Sequence, residues 1–447
     1  MLSTLQTWLG LAARKTLQRE GAFVIAVTGS VGKSTTKQAI SAMLQADLPE
    51  NRVRVTEGSF NNELGLPLTV FGHPAPGRSP LAWLALLADA WTTSAGLKNT
   101  GVKTFVLEMG ADKPGDLEYL IKIAPPDIAV VTAITTNDDS LVPVHSGNYR
   151  SLDELVEEKS KLVKALKPGG NAVLNADDKK VFAMRHLTNE HSLTYGEADG
   201  SDVRIAHVRI VTEPTPHGQV PTGLEVKLEN YQRVYRAFLP GVYGTSIAYA
   251  YAAATAVSEA LDVSIEQTNA FAKHFHPVKG RTRIIPGIKR TTLFDDSYNA
   301  SPASVLQSLK DLASVPVDQG QRKIVCLGEM RELGDRSEDM HRRIGADAAK
   351  LGIDVLICCG IFGRAMAEGA RANGMNPERV HVIEDTPEAG MFIQEMIQPG
   401  DIILAKASQG TPETKGVRME RVIKELMAEP MRADELLVRQ GVAWQRK

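Results

Sequence analysis

Residues 23–36, Phe-Val-Ile-Ala-Val-Thr-Gly-Ser-Val-Gly-Lys-Ser-Thr-Thr, put a glycine-lysine-hydroxyl turn directly behind a short apolar strand. Such a turn is built for nucleotide phosphates. Gly29 and Gly32 let backbone N–H groups converge on an anion, Ser30 and Thr35 belong to the same turn, and the helix that follows presents its positive end. Lys33 would reach the terminal phosphates, and Ser34 would hold Mg²⁺. The spacing Gly-x-x-Gly-Lys-Ser is two residues shorter than the general phosphate-loop pattern, so the strand-turn-helix context carries the assignment. The expected nucleotide is ATP.

Three further groups could do chemistry around such a loop. Glu108 ends the apolar run Thr104–Leu107, where a hard oxygen beside bound phosphates suits magnesium. Asp295-Asp296-Ser297-Tyr298-Asn299-Ala300-Ser301-Pro302 crowds polar side chains between an apolar strand and a helix that opens at Pro302, and Asp296 or Ser301 could equally cap that helix. His145, in Pro-Val-His-Ser-Gly, and Lys159, on a helical stretch, have no standing from composition alone, because a lone loop histidine or helical lysine is ordinarily solvated.

These residues need a frame that places them at strand ends. A chain of 447 residues exceeds one ordinary core and divides into two or three domains. Strand-like runs at Val24–Val27, Thr104–Leu107, Ile128–Thr132 and Ala172–Leu174 alternate with helical patterns, which predicts an α/β architecture on a parallel sheet. Residues 201–240 alternate instead in the period of two, as antiparallel hairpins do. After an alanine-rich helix at 245–260, new strands at Thr292–Phe294, Lys323–Leu327, Val355–Cys358 and Ile402–Ala405 predict a second, Rossmann-like α/β domain. The expected division is an N-terminal amphipathic helix at 1–21, an ATP-binding domain at 22–276, a second domain at 277–430 and a charged tail, frayed or helical, at 431–447.

Composition narrows the classes. A net charge of −2, with 43% hydrophobic and 23% charged residues, describes a soluble globular protein with no nucleic-acid surface. Cys326, Cys358 and Cys359 fall in apolar runs without metal-ligand spacing, as in a reduced, cytoplasmic chain. Two apolar stretches stand apart. Residues 1–20 are too short and too charged to span a bilayer, and 79–97 reads as a core or interface helix with a partner- or membrane-facing surface as the alternative, so the expected location is cytoplasmic or peripheral to the inner face of the membrane.

Together, Thr28–Thr36, Asn61-Asn62-Glu63-Leu64-Gly65-Leu66-Pro67-Leu68-Thr69, Glu108-Met109-Gly110, His145, Lys159, Asn175-Ala176-Asp177-Asp178, Gly280-Arg281, Asp296–Pro302 and Leu327-Gly328-Glu329-Met330-Arg331-Glu332-Leu333-Gly334 resemble the Mur ligases in order and spacing over about 22–425. The last two motifs resemble most the branch that adds D-alanyl-D-alanine. The resemblance implies an ATP-dependent ligase of cell-wall synthesis that phosphorylates a carboxylate and joins it to an amine. It implies Lys33, His145 and Lys159 as catalytic groups, with Ser34 and Glu108 on one Mg²⁺ and His145 with a carbamylated Lys159 on a second. Asn175, Arg281 and Asp296 would contact ATP, while Asn61, Asn62, Tyr298 and Asn299 would face substrate.

Some features depart from the family pattern. Relatives normally carry an N-terminal domain that grips a UDP-sugar, whereas about 22 residues precede the first strand here, so the expected chain lacks that domain. The acceptor would then be held by the two remaining domains or a partner, or be lipid-linked and approached through 79–97, a segment that looks inserted. Gly241-Val242-Tyr243-Gly244 stands where many relatives have Gly-x-His-Asn, and Ala407 replaces glycine in a late Lys-Gly-Ser segment. Alternative readings are a similar ligase on another carboxylate, and a nucleotide-binding interaction protein whose ligase activity has lapsed.

Overall fold

The computed structural model describes residues 2–45, 52–58, 60–135, 141, 148–231, 233–264, 268, 272, 275–409, 417–441 and 444. The first domain runs through helix α1 (Leu2–Glu20), β1 (Phe23–Thr28), α2 (Lys33–Gln45), β2 (Val53–Val55), α3 (Gly65–Phe71), α4 (Pro80–Ser94), β3 (Thr104–Glu108), α5 (Asp116–Ile123), β4 (Ile128–Val131), α6 (Leu152–Lys164), β5 (Asn171–Asn175), α7 (Lys179–Phe182) and β6 (His191–Gly196). Long strands β7 (Val203–Thr215) and β8 (Gly218–Asn230) follow, then β9 (Arg233–Pro240) and α8 (Thr245–Ala260).

Its nine-stranded sheet has the order β2-β3-β1-β4-β5-β6-β7-β8-β9. Pairing is parallel from β2 to β7 and antiparallel in β7-β8-β9. The parallel part is apolar on both faces because helices cover both, and β1 and β4 bury nearly every residue. The hairpins alternate buried and exposed positions, as a sheet with one solvated face must.

The second domain holds β10 (Arg283–Pro286), β11 (Thr292–Asp296), α9 (Pro302–Ala313), β12 (Lys323–Leu327), α10 (Ser337–Lys350), β13 (Val355–Cys358), α11 (Gly363–Ala372), β14 (Val380–Val382), α12 (Thr386–Met396), β15 (Ile402–Lys406) and α13 (Met419–Leu426). Its sheet order is β10-β11-β15-β12-β13-β14, parallel except for the β10-β11 edge. The α/β architecture expected from the strand-helix alternation is therefore present in both halves. After α13 the chain makes a short helix at Ala433–Leu436, buries Leu437, and returns Arg439 to the loop after β11.

The two sheets meet through specific contacts. Tyr243 stacks on Phe294 of β11 with ring centroids 3.9 Å apart. Thr245, at the start of α8, donates from its backbone N and its Oγ1 to Asp311 Oδ1 on α9, at 3.2 and 2.7 Å. The cleft between the domains is lined by the carboxyl ends of β1, β4, β5, β11 and β15, where α/β sheets place ligands.

Candidate functional site

The phosphate loop occupies the connection from β1 to α2. Gly29 has φ 141°, and a Cβ there would lie 1.9 Å from Thr132 Oγ1, so only glycine fits. Thr132 closes the loop from the β4 side, donating to the Thr28 carbonyl at 3.1 Å and the Val31 carbonyl at 2.7 Å. Ser30 N donates to the Ala133 carbonyl at 2.7 Å, while Ser30 Oγ is buried without a partner. Lys33 curls back on the loop, donating to the Gly29 carbonyl at 2.9 Å and the Ser30 carbonyl at 3.4 Å. Desolvation pulls its ammonium below the ordinary value, with Glu108 opposing.

Glu108, at the end of β3, faces the start of α2. Its Oε1 accepts from Ser34 Oγ at 3.3 Å and from Asn61 Nδ2 at 3.4 Å. Its Oε2 sits 3.2 Å from Lys37 Nζ, an ion pair out of line for a hydrogen bond. Burial pushes this carboxyl up, but Lys37, Lys33 and Arg281 together hold it below the ordinary value, so it is ionised. Lys37 was not anticipated. Its signal was available in its position four residues after Lys33, on the same face of α2.

Lys159, on α6, is fully buried and donates to the Gly29 carbonyl at 3.0 Å. Desolvation first, then Lys33, drives its pKa down to about 7. His145 lies outside the described residues. Asn62 Oδ1 accepts from Gly65 N at 2.9 Å and so caps the entry to α3, while the Asn61 carbonyl accepts from Gly110 N at 2.8 Å. Among the described residues no cluster of three or more His, Cys, Asp or Glu is assembled.

The second domain supplies the opposite wall. Asp296 Oδ2 accepts from Lys406 Nζ at 2.5 Å and from Ser308 Oγ at 2.8 Å. Burial lowers the Lys406 pKa, and Asp296 opposes that fall. Ser301 caps α9 reciprocally with Ser304, so the capping reading holds for Ser301 while Asp296 remains in the cleft. Asn299 Oδ1 folds onto Ala300 N at 3.0 Å. The Tyr298 ring lies between two guanidinium groups, Arg281 at 4.5 Å and Arg439 at 5.4 Å from its centroid. Arg281 Nε is buried without a hydrogen-bond partner and lines the cleft.

Ser408 ties three of the sequence motifs together. Its Oγ donates to the Ala300 carbonyl at 2.7 Å and accepts from Arg331 N at 3.1 Å. Behind that contact His341 is fixed as a neutral ring, accepting from Met330 N at 2.8 Å on Nε2 and donating from Nδ1 to the Ser337 carbonyl at 2.6 Å. Burial lowers its pKa, in keeping with that tautomer.

Between the walls is a cavity of about 280 Å³. Gly32, Thr35, Asn175, Arg281, Asp296 and Lys406 line it together. Its far side is formed by Tyr249, whose hydroxyl donates to Asp177 Oδ2 at 2.7 Å. Tyr243 is fully buried against Phe294 and joins the domains instead of lining the cavity.

A phosphate loop at the edge of one α/β domain, with cationic and carboxylate groups of a second domain across a shared cleft, defines a two-domain phosphate-loop enzyme. Residues 27–77 and 89–255 match the Mur ligase middle domain, and residues 280–409 match the Mur ligase, glutamate ligase domain. The chain belongs to the Mur ligase family and is an ATP-dependent ligase.

It is 30% identical over 418 residues to the UDP-N-acetylmuramoyl-tripeptide–D-alanyl-D-alanine ligase of Mycobacterium tuberculosis strain H37Rv, covering 90% of this chain and 73% of that one. The enzyme of the same name from Bacillus subtilis is 28% identical over 425 residues, covering 95% and 80%. Among solved structures, a crystal structure of MurF from Acinetobacter baumannii superimposes with a TM-score of 0.70 at 25% identity, covering 90% of this chain and 77% of that one. MurF from Thermotoga maritima in complex with ADP shares the fold, with a TM-score of 0.73 at 23% identity over 96% and 84% of the two chains.

Proposed function

We propose that the chain uses ATP to convert a muramoyl-tripeptide carboxylate into an acyl phosphate and joins it to D-alanyl-D-alanine or a similar amine. The observation that carries this reading is that Arg281, Asp296 and Lys406 of the second domain line one cavity with Gly32 and Thr35 of the phosphate loop, with Arg281 close enough to act on both Lys33 and Glu108 behind it. The names of the Bacillus and Mycobacterium relatives support the choice of acceptor and amine.

A carboxylate is a poor electrophile until one oxygen becomes a leaving group. In the first step a carboxylate oxygen attacks the γ-phosphorus, the bond to the bridging oxygen breaks, and ADP leaves with the electron pair. In the second the amine attacks the acyl carbon, and the tetrahedral adduct expels phosphate and loses a proton. The loop N–H groups and Lys33 would hold the phosphates through both steps, exchanging the Lys33 bonds to loop carbonyls for bonds to phosphate oxygens. Arg281, with an unpaired Nε facing the cleft, would place positive charge over the group in transfer. Asn175 would contact the nucleotide, and Asn61, Asn62, Tyr298 and Asn299 the acceptor side.

Ser34 Oγ and Glu108 Oε1 are two hard oxygens 3.3 Å apart, a donor set that fits magnesium, while Glu108 Oε2 is held by Lys37 at 3.2 Å. Magnesium bound there would neutralise phosphate charge. Lys159 as an ammonium would repel a second cation. As a neutral amine it can add CO₂ and release a proton, and the resulting carbamate would be an anionic partner. A lysine pushed to about 7 is neutral in large part at neutral pH.

A role in nucleotide binding alone would not call for a buried lysine at the loop and an ionised glutamate beside it. The test is mass spectrometry of products from purified protein, ATP, Mg²⁺ and a panel of acceptors and amines. A product with the mass of muramoyl pentapeptide supports the proposal. ADP formation without any amide product on the whole panel contradicts it.

A further inference from the structure

Helix α4 is amphipathic in an unusual sense. Its inner face, Leu86, Ala90, Thr93 and Ser94, is buried in the first domain. Its outer face, at spacings of three and four residues, is also apolar: Leu81, Leu84, Ala85, Ala88 and Trp91. Leu81 is 78% exposed, Leu84 63% and Trp91 57%. The family match breaks over residues 78–88, so most of this face belongs to a stretch the family pattern does not describe.

Helix α1 packs alongside α4 and extends the patch. Leu9, Ala12, Ala13 and Leu17 anchor it inward, while Trp8 and Leu11, the latter 59% exposed, face outward. Leu5 and Trp8 meet Leu84, Leu87, Ala88 and Trp91 in one shallow apolar groove.

The unpaired charges on these two helices and just before α4 are cationic. Arg14 and Lys15 lie exposed on the outer side of α1, Arg78 is exposed just before α4, and none of the three is in an ion pair among the described residues. The acids of the two helices are neutralised. Glu20 pairs with Arg19, and Asp89 is held between His73 and Lys98. No helix among the described residues is long and apolar enough to cross a membrane.

We propose that the outer faces of α1 and α4 are a docking surface for an anionic lipid bilayer. Apolar side chains with tryptophans at the border of the patch, and unpaired cations at its rim, fit the headgroup boundary of such a membrane. The helices lie in the interface plane, with α4 running about 22 Å along it. A protein partner would be expected to meet the rim with carboxylates, but the patch has none of its own to make a self-complementary contact, which argues against a second copy. This surface is independent of the ligase chemistry, and loss of one leaves the other unaffected.

The experiment is vesicle flotation of the full chain. The probes are phosphatidylcholine vesicles and vesicles of equal parts phosphatidylcholine and phosphatidylglycerol, each at low and high salt. Binding to the anionic vesicles that weakens with salt is expected, with little binding to the neutral ones. Arg14→Glu with Lys15→Glu should lower the partition about tenfold or more. Leu84→Glu with Trp91→Glu should abolish it with an unchanged melting temperature. Should that pair fail to fold, Leu81→Glu, at a position with almost no packing, should still weaken binding. Absence of flotation with both vesicle types overturns the proposal. So does binding indifferent to the α4 variants, or a dimer in light scattering that those variants dissolve while vesicles are ignored.

Discussion

The Lys159 ammonium donates to the carbonyl of Gly29 at 3.0 Å, joining helix α6 to the first residue of the phosphate loop across 130 positions of sequence. Among the described residues this fully buried lysine bonds to that neutral carbonyl, and burial lowers its pKa to about 7 against the pull of Asp112 and Glu158. Replacement by methionine should therefore raise the melting temperature at pH 7 while lowering turnover by about two orders of magnitude or more. The pH dependence has a definite sign. The folded pKa lies below the ordinary 10.5, so the unfolded chain binds the extra proton between those values, and wild-type stability should rise with pH across that window. Lys159→Met should remove that rise, as read by thermal melts. For Lys159→Ala, recovery of turnover on adding a short carboxylic acid would support a carbamate at this position, and failure to recover would count against it.

Asp296 and Lys406 form a buried pair at 2.5 Å on the second-domain wall. Lys406→Met alone leaves a buried carboxylate without its cation and should cost roughly 3 kcal/mol in denaturant melts. Adding Asp296→Asn should return most of that stability. Nucleotide affinity, measured by calorimetry, should stay low in the double variant if the pair serves the site, and recover with stability if its role is packing alone.

Asp295, one residue away on β11, faces the domain core. Burial raises its pKa from 3.8 to about 6, with the side chain and backbone of Ser297 and the more distant Arg283 opposing, and Asp296 adding to the rise. The favourable neutral form is present below about pH 4 and lost as pH rises through about 6. Asp295→Asn should flatten stability across that interval and raise it by up to about 3 kcal/mol at pH 8. A variant less stable than wild type at pH 8 would show that the ionised carboxylate is useful in the fold.

Gly29→Ala tests the loop itself. The added methyl would meet Thr132 Oγ1 at 1.9 Å at a backbone φ of 141°. Nucleotide affinity should fall at least about tenfold, and Thr132→Ala should restore little of it, because the backbone strain remains.

Much of this arrangement could be read from the chain. The parallel strands and the hairpins at 201–240 have clear periods, the helix from Pro302 has a cap, the helix from Thr245 is marked by its alanines, and the phosphate loop has a local signature. Interdomain geometry leaves no such trace. Tyr243 reads as a substitution near the nucleotide, yet its partner Phe294 is fixed only by how the two sheets meet. Arg439 sits in a charged tail that reads as frayed or helical, but it donates to the Ser297 and Tyr298 carbonyls and pairs with Glu420 at 3.0 Å. The bonds from Arg439 to Ser297 and Tyr298 join segments more than a hundred residues apart, where neither spacing nor composition carries a signal. The apolar outer face of α4 is the opposite case. Its pattern is plain in sequence, but only packing decides which of two apolar faces is covered.

The central claim is that the cleft couples ATP cleavage to amide formation. The most direct measurement is phosphate release by the purified chain with ATP and Mg²⁺, adding muramoyl tripeptide and D-alanyl-D-alanine separately and together. Release that requires both, abolished by Lys33→Ala, is the predicted result. Release that proceeds equally without acceptor or amine would contradict it.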